Sequence, residues 1–191
     1  MRCLVGLVML LLLLAPQEVA AGDKMKLLIQ RAKSLKGKTL IVPEILPDTF
    51  YLNKVRKSKK KGAEREATYL RQIAQANINL KRYLQEHFDY TTLEFVSTDV
   101  GSYPQLFEGY DPQKYAVLQF GEATQWVTGK KRGKYYTQTF GCYDTDGIQP
   151  LVIIPARAFQ FHDANTAELT IIRLNEMLWR YYKRGKKEKE S

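Results

Sequence analysis

The sequence predicts an α+β domain built of two layers. Helical and strand patterns alternate in the first half, a run of β-prone segments with two hairpin signals follows, and a helix closes the chain. We expect a mixed sheet of about five strands that ends in an antiparallel meander, covered by two or three helices. The predicted single domain spans residues 22–182, after a signal peptide over 1–21 and before a basic, disordered tail over 183–191.

The first helix is predicted in DKMKLLIQRAKSLKG, because its apolar residues recur at three-to-four spacing. Gly37 is expected to end this helix. KTLIV, over Lys38–Val42, is a short apolar strand, and Pro43 discourages its extension. Pro43–Gly62 is then expected to be a long connection, which in a compact domain is usually functional or mobile.

The strongest helical pattern runs from Glu64 to about Phe88 and presents one apolar stripe. That stripe consists of Tyr69, Leu70, Ile73, Ala76, Leu80, Tyr83, Leu84 and Phe88. TLEFVS, over Thr92–Ser97, predicts the next strand. KYAVLQF then begins the β-prone half of the chain.

Two hairpins are predicted in this second half. EATQWVTGKKRGKYYTQTF places two β-prone arms around a glycine-bounded loop over Gly129–Gly133. TFGCYDTDGIQPLVIIP repeats the pattern, with Asp146 and Gly147 as the turn signal. PLVIIP is apolar on both faces, which is typical of a central, buried strand.

The final helix is predicted from the stripe of Ala167, Ile171, Leu174, Leu178 and Tyr181. Its expected N-cap is Asn165, and Glu168 lies three residues later in a capping-box arrangement. Gly185 is expected to end it.

The first residues match a secretory signal peptide. A short basic start precedes an apolar run over Leu4–Ala15, and the small residues VAA indicate cleavage after Ala21. The run is shorter than the roughly 20 residues that span a bilayer. We therefore expect an exported chain, periplasmic or secreted, with no transmembrane span after cleavage; an uncleaved anchor is the alternative.

The net charge of +10 is unevenly distributed. Lys54–Lys61 holds six basic residues, Lys130–Lys134 holds four, and Lys183–Glu190 holds five against two acidic ones. The rest of the chain is near neutral, so the segments predict binding to a polyanion or an acidic surface. The predicted binding residues are Lys54, Arg56, Lys57, Lys59, Lys60, Lys61, Lys130, Lys131, Arg132 and Lys134.

Aromatic residues adjoin two of the basic segments, in KKRGKYY at Lys130–Tyr136 and in WRYYKRGKK at Trp179–Lys187. Rings beside cations suit a polyanion that carries sugars or bases. The same pattern also fits rings that pack in the core beside solvated lysines, which keep a protein soluble. The sequence leaves both interpretations open.

Cys142 is the one cysteine that remains after signal cleavage, so the mature chain holds no internal disulfide. It is expected to be a small buried residue, with an intermolecular disulfide as the alternative. Cysteine catalysis requires a base within hydrogen-bond reach, so Cys142 with His162 and Asp163 is the candidate nucleophilic set. FGCYDTDG is more simply a strand that enters a turn.

No cofactor or metal is expected. DTDG resembles the start of a calcium loop, but the following IQPLVIIP supplies no closing glutamate. One cysteine and two distant histidines make a poor transition-metal set. The sequence has no phosphate-binding loop, dinucleotide fingerprint or nucleophile elbow.

These observations favour an exported, non-enzymatic binding or accessory domain that acts at a cell-envelope or assembly surface through its basic segments. The order of its elements loosely resembles that of small accessory domains of bacterial periplasmic assembly proteins. Expected partners are an acidic protein surface, anionic lipid head groups or an envelope glycan, and not a specific nucleic acid. The alternative is a small extracytoplasmic hydrolase with a pocket near Cys142 and His162.

Overall fold

The computed structural model of the chain describes residues 21–57, 61–97, 109–127, 133–145 and 150–190. These residues contain four α-helices and an open, mixed sheet of five strands. The α+β class predicted from the alternating patterns is therefore confirmed. The predicted signal peptide lies almost wholly outside the described residues.

The helices are α1 (Ala21–Leu35), α2 (Thr49–Arg56), α3 (Gly62–His87) and α4 (Ala164–Glu190). The strands are β1 (Thr39–Pro43), β2 (Leu93–Val96), β3 (Tyr115–Val127), β4 (Gly133–Tyr143) and β5 (Pro150–Pro155). A 3₁₀ helix (Ala158–His162) precedes α4. Among the described residues, no helix combines the length and the apolar character that crossing a membrane requires.

The sheet has the strand order β2-β1-β3-β4-β5. Strand β1 pairs in parallel with β2 and with β3, so that Leu40 lies opposite Leu93 on one side and Ala116 on the other. Strands β3, β4 and β5 pair antiparallel in succession. The C-terminal meander expected from the two hairpin signals is confirmed.

The prediction that PLVIIP is a central strand is wrong, because β5 lies at an edge of the sheet. Its residues are apolar on both faces because each face meets a hydrophobic cluster: Val152 and Ile154 face the helices, and Ile153 packs against the smaller cluster on the other face. Helix α1 also reaches this edge, where Arg31 Nη1 donates to the Leu151 carbonyl at 3.3 Å. An apolar sequence on both faces of a strand therefore indicates that both faces are buried. It does not indicate whether the strand is central or at an edge of the sheet.

The main core lies between one face of the sheet and helices α1, α3 and α4. Most of the apolar positions predicted for these helices are buried there, including Ala32, Leu84 and Leu174. Leu70 is an exception with 39% of its surface exposed. The opposite face of the sheet holds the smaller cluster around Ile41, Val117 and Tyr143.

Two predicted local features differ from the structure. The connection Pro43–Gly62 contains the helix α2, which was not predicted. This helix has only eight residues and two buried apolar side chains, so its sequence pattern is too short to identify it. The N-cap of α4 is Asp163 and not Asn165, because Asp163 Oδ1 accepts from the backbone N–H of Thr166 at 2.8 Å. Glu168 Oε1 instead lies 3.1 Å from His87 Nε2, which joins α4 to the end of α3.

Gly185 marks a close crossing of two helices, and the prediction that it ends the last helix is wrong. Helix α4 continues through it to Glu190, across part of the predicted basic tail. A Cβ at Gly185 would lie 2.5 Å from Ile29 Cγ2 on α1. The Lys33 ammonium on α1 donates to the Gly185 carbonyl. The missing side chain therefore lets α1 and α4 approach closely.

Replacing Gly185 with alanine is expected to destabilise the fold. Overpacking costs about 1–3 kcal/mol, and the higher helix propensity of alanine returns up to about 1 kcal/mol, so we expect a net loss of about 1–2 kcal/mol. Urea denaturation followed by circular dichroism measures this change. Gly37→Ala is the control, since a Cβ there meets no atom within 4 Å. Equal stability of the two variants would contradict a close crossing at Gly185.

Candidate functional site

A groove of about 490 Å³ lies between α2, α3 and the 3₁₀ helix. This volume falls within the range of about 300–1,000 Å³ that is typical of ligand sites in proteins. Its wall mixes aromatic and aliphatic side chains with amide and imidazole groups. The lining residues are Leu46, Asp48, Tyr51, Tyr69, Gln72, Ile73, Gln138, Ala158, Phe159 and His162.

Asp48 positions the two tyrosines of the groove. Its carboxylate accepts from the backbone N–H groups of Phe50 and Tyr51 at 2.8 and 3.2 Å, which caps the first turn of α2. Its own backbone N–H donates to the Tyr69 hydroxyl on α3 at 2.9 Å. The rings of Tyr51 and Tyr69 consequently lie with their centroids 4.6 Å apart.

An ion pair joins the other end of α2 to α3. Arg56 Nε and Nη2 donate to Glu66 Oε1 at 2.9 and 2.6 Å. The hydrogen bond from Arg56 lowers the pKa of the Glu66 carboxyl, and the same contact raises the pKa of Arg56. Arg56 was predicted to bind an acidic partner, but in this structure its charge faces an acidic residue of its own chain.

A second, polar depression of about 360 Å³ continues from the groove and shares Tyr51, Tyr69 and Gln72 with it. Lys61 and Arg65 line this polar end and carry its positive charge. Lys61 Nζ lies 3.8 Å from Glu64 Oε2, and both side chains are largely exposed. The first basic segment therefore meets an aromatic surface.

Lys61 adopts a left-handed backbone conformation with φ of 58°. Among non-glycine residues this conformation favours asparagine or aspartate, and it costs a lysine roughly 1–2 kcal/mol. Residues held in such conformations cluster at functional sites, where surrounding structure maintains them. The polar end of the groove therefore contains a backbone conformation that is typical of functional sites.

The 3₁₀ helix contributes Ala158, Phe159 and His162 to the wall of the groove. Asn79 on α3 donates through Nδ2 to the carbonyls of Phe161 and His162 at 2.8 and 3.1 Å, which fixes the end of this helix. Phe159 remains 42% exposed. His162 Nδ1 donates to the Phe159 carbonyl, which orients the imidazole ring.

The other predicted binding residues have different positions. Lys54 lies on α2, and Lys57 is its C-cap; both are exposed. Lys134 lies in β4 opposite Trp126. Lys59, Lys60 and Lys130–Arg132 lie outside the described residues. Binding by the full predicted set stays a prediction.

Cys142 is fully buried in the main core, as expected for a small apolar residue. Burial raises the pKa of its thiol to about 12, which disfavours the reactive thiolate. The groove that His162 lines does not include Cys142. This arrangement argues against the cysteine nucleophile of the hydrolase hypothesis.

The acidic residues of the described chain do not assemble a metal site. No group of three or more histidine, cysteine, aspartate or glutamate residues lies within ligand range in the part that the structure describes. Asp144 Oδ1 accepts from the backbone N–H of Thr145 at 2.9 Å, as in a turn. The remainder of the calcium-like DTDG stretch lies outside the described residues.

The Trp179 ring near the C-terminal basic segment packs against other residues of this chain. Asp89 Oδ1 accepts from Trp179 Nε1 at 2.7 Å and from Asn175 Nδ2 at 2.9 Å. Lys36, the residue directly after α1, lies over the Trp179 ring, 4.6 Å from its centroid, and Tyr90 meets the same ring edge-on at 5.2 Å. This chain therefore uses the Trp179 ring for its own packing, as one of the two sequence interpretations anticipated.

No protein-family model matches the chain, and no curated protein or solved structure matches it significantly. The candidate site therefore depends on its own geometry.

The sequence contained one signal for the groove. LPDTF, with Asp48 before an aromatic residue, is a typical helix start, and it indicates α2 and the position of Tyr51. The approach of the 3₁₀ helix had no signal of this kind, because Asn79 and Phe161 are 82 residues apart in the chain.

The Trp179 cluster predicts a pH-dependent contribution to stability. Hydrogen bonds from Trp179 and Asn175 lower the pKa of Asp89 in the folded chain. A lowered carboxyl pKa adds stability above the unfolded value of about 3.9, and that stability is lost as pH falls through the folded pKa. Asp89→Asn should therefore be less stable than the natural chain at neutral pH, and this difference should vanish in acid.

Urea denaturation of both proteins at neutral pH and below pH of about 3 measures this difference. Glu176→Gln is the control, because Glu176 is an exposed acidic residue that lines a surface cleft together with Asp89 and Trp179. A stability difference for Asp89→Asn that stayed constant with pH would contradict a charge-dependent role of Asp89.

Proposed function

We propose that this chain is an exported, non-enzymatic binding domain that contacts an acidic partner at a cell-envelope or assembly surface. The observation that carries this proposal is the junction of the first basic segment with the aromatic groove. Lys61 shares its polar depression with Tyr51 and Tyr69. Localised positive charge attracts acidic partners and accelerates their encounter.

The exposed lysines supply the contact. Lys54 lies one helical turn after Tyr51 on α2, and side chains at this spacing share a helix face. Lys57 and Lys61 follow at the end of α2 and the start of α3. Arg56 holds α2 in place through Glu66, so we assign it a positioning role. Export is supported by the signal-like N-terminal residues, and the two-layer body acts as the scaffold.

Retention on a heparin-like resin tests this proposal. The triple variant Lys54→Gln, Lys57→Gln and Lys61→Gln should bind the resin roughly tenfold more weakly at physiological ionic strength, since exposed ion pairs contribute about 0.2–1 kcal/mol each. Retention of the unmodified protein should fall steeply with salt, because ions screen exposed charges.

The control variant removes three exposed cations elsewhere, with Lys24→Gln, Lys26→Gln and Arg173→Gln. It has the same net charge as the test variant, so a general effect of charge affects both equally. Equal elution of the two variants, or retention that does not depend on salt, would contradict a role for the first basic segment.

A further inference from the structure

We infer that the groove binds an extended peptide segment in which an apolar anchor side chain is followed by acidic residues. This inference rests on the proposed function and names the chemical class of its partner. The anchor occupies the groove between Tyr51 and Phe159, and the acidic residues lie over Lys61 and Arg65. Two adjoining depressions of different chemistry, joined at Tyr51, Tyr69 and Gln72, support this division.

The apolar half of the groove suits an anchor side chain. Tyr51 and Phe159 line it and expose 41% and 42% of their surfaces, and Ile73 forms part of its wall. Burying one large side chain against such walls removes apolar area from water, which is worth about 1.5–3 kcal/mol. Aromatic anchors in desolvated pockets dominate the energetics of most protein interfaces.

The polar half of the groove complements acidic residues. The polar depression is lined by two cations, Lys61 and Arg65, and by one acidic residue, Glu64, so its net charge is positive. The left-handed backbone of Lys61 places a cation at a position where asparagine or glycine would cost less, and such conformations cluster at functional sites. An acidic residue of the partner, one or two positions after the anchor, would reach these cations.

The polar groups of the wall favour a peptide over a lipid. Gln72, Gln138 and His162 line the groove among its apolar side chains. Each glutamine amide both donates and accepts hydrogen bonds, as the N–H and C=O groups of an extended backbone do. An acyl chain would leave these groups without partners, at a cost of about 1–3 kcal/mol for each group that it buries.

Selection from a random peptide library displayed on phage, with the full chain as bait, tests this inference. We expect the enriched peptides to share an aromatic or aliphatic residue followed by aspartate or glutamate. Enrichment should be lost on Tyr51→Ala and kept on Phe50→Ala. Phe50 is the matched control because it adjoins Tyr51 on α2, is 78% exposed and does not line the groove.

Fluorescence anisotropy of one enriched, labelled peptide then measures separately how much the anchor and the acidic residues contribute to affinity. Replacing its anchor with alanine, or its acidic residues with their amides, should each weaken binding at least tenfold. Lys61→Asn should weaken binding of the acidic peptide several-fold and leave the amide version unchanged. Asparagine adopts the left-handed conformation more readily than lysine, so this variant removes the charge without weakening the fold.

Some results would overturn this inference and leave the proposed function standing. Enrichment of purely acidic peptides, or affinity that ignores Tyr51→Ala, would show that charge alone mediates contact. Failure to enrich any peptide, together with tight binding to phosphatidylglycerol vesicles that increases in Gln72→Leu, would assign the groove to lipid. Retention of the unmodified protein on the heparin-like resin that does not depend on salt would instead overturn the proposed function itself.

Discussion

The packing of α2 on α3 is the interaction on which the candidate site depends. Burial of Leu52 and Val55 supplies most of its stability, since a buried aliphatic side chain contributes about 1.5–3 kcal/mol. The polar contacts at its two ends set its orientation: Asp48 caps it and meets Tyr69, and Arg56 meets Glu66. Without this short helix, Tyr51 would have no fixed position and the basic segment would have no neighbouring groove.

The long elements were predictable because each carries many turns of one pattern. Helix α3 repeats its apolar stripe over 26 residues. Strands β3 and β4 are the two β-prone arms on either side of the glycine-bounded stretch in the sequence. Short elements, and the burial of single residues within long elements, were not predictable in this way. Helix α2 has two buried apolar residues, and Leu70 continues the stripe of α3 although it is 39% exposed. Tertiary packing decided both cases.

The two basic and aromatic regions described here differ in what their rings contact. At the C-terminal end, Asp89, Lys36 and Tyr90 contact the Trp179 side chain, and α1 and α4 cross closely at Gly185. At α2, Tyr51 contacts Tyr69 and remains partly exposed to the groove. Residue composition alone does not distinguish these situations, because the distinguishing contacts come from elsewhere in the chain.

We propose that an acidic partner binds at the surface around Tyr51 and Lys61. Nuclear magnetic resonance tests it most directly, by following the backbone amide signals of the full chain as a selected acidic peptide is added. We expect the largest shifts to cluster at Tyr51, Lys61, Tyr69, Gln72 and Phe159. Shifts concentrated instead around Trp179 and Lys183–Lys187, with the groove unchanged, would contradict it.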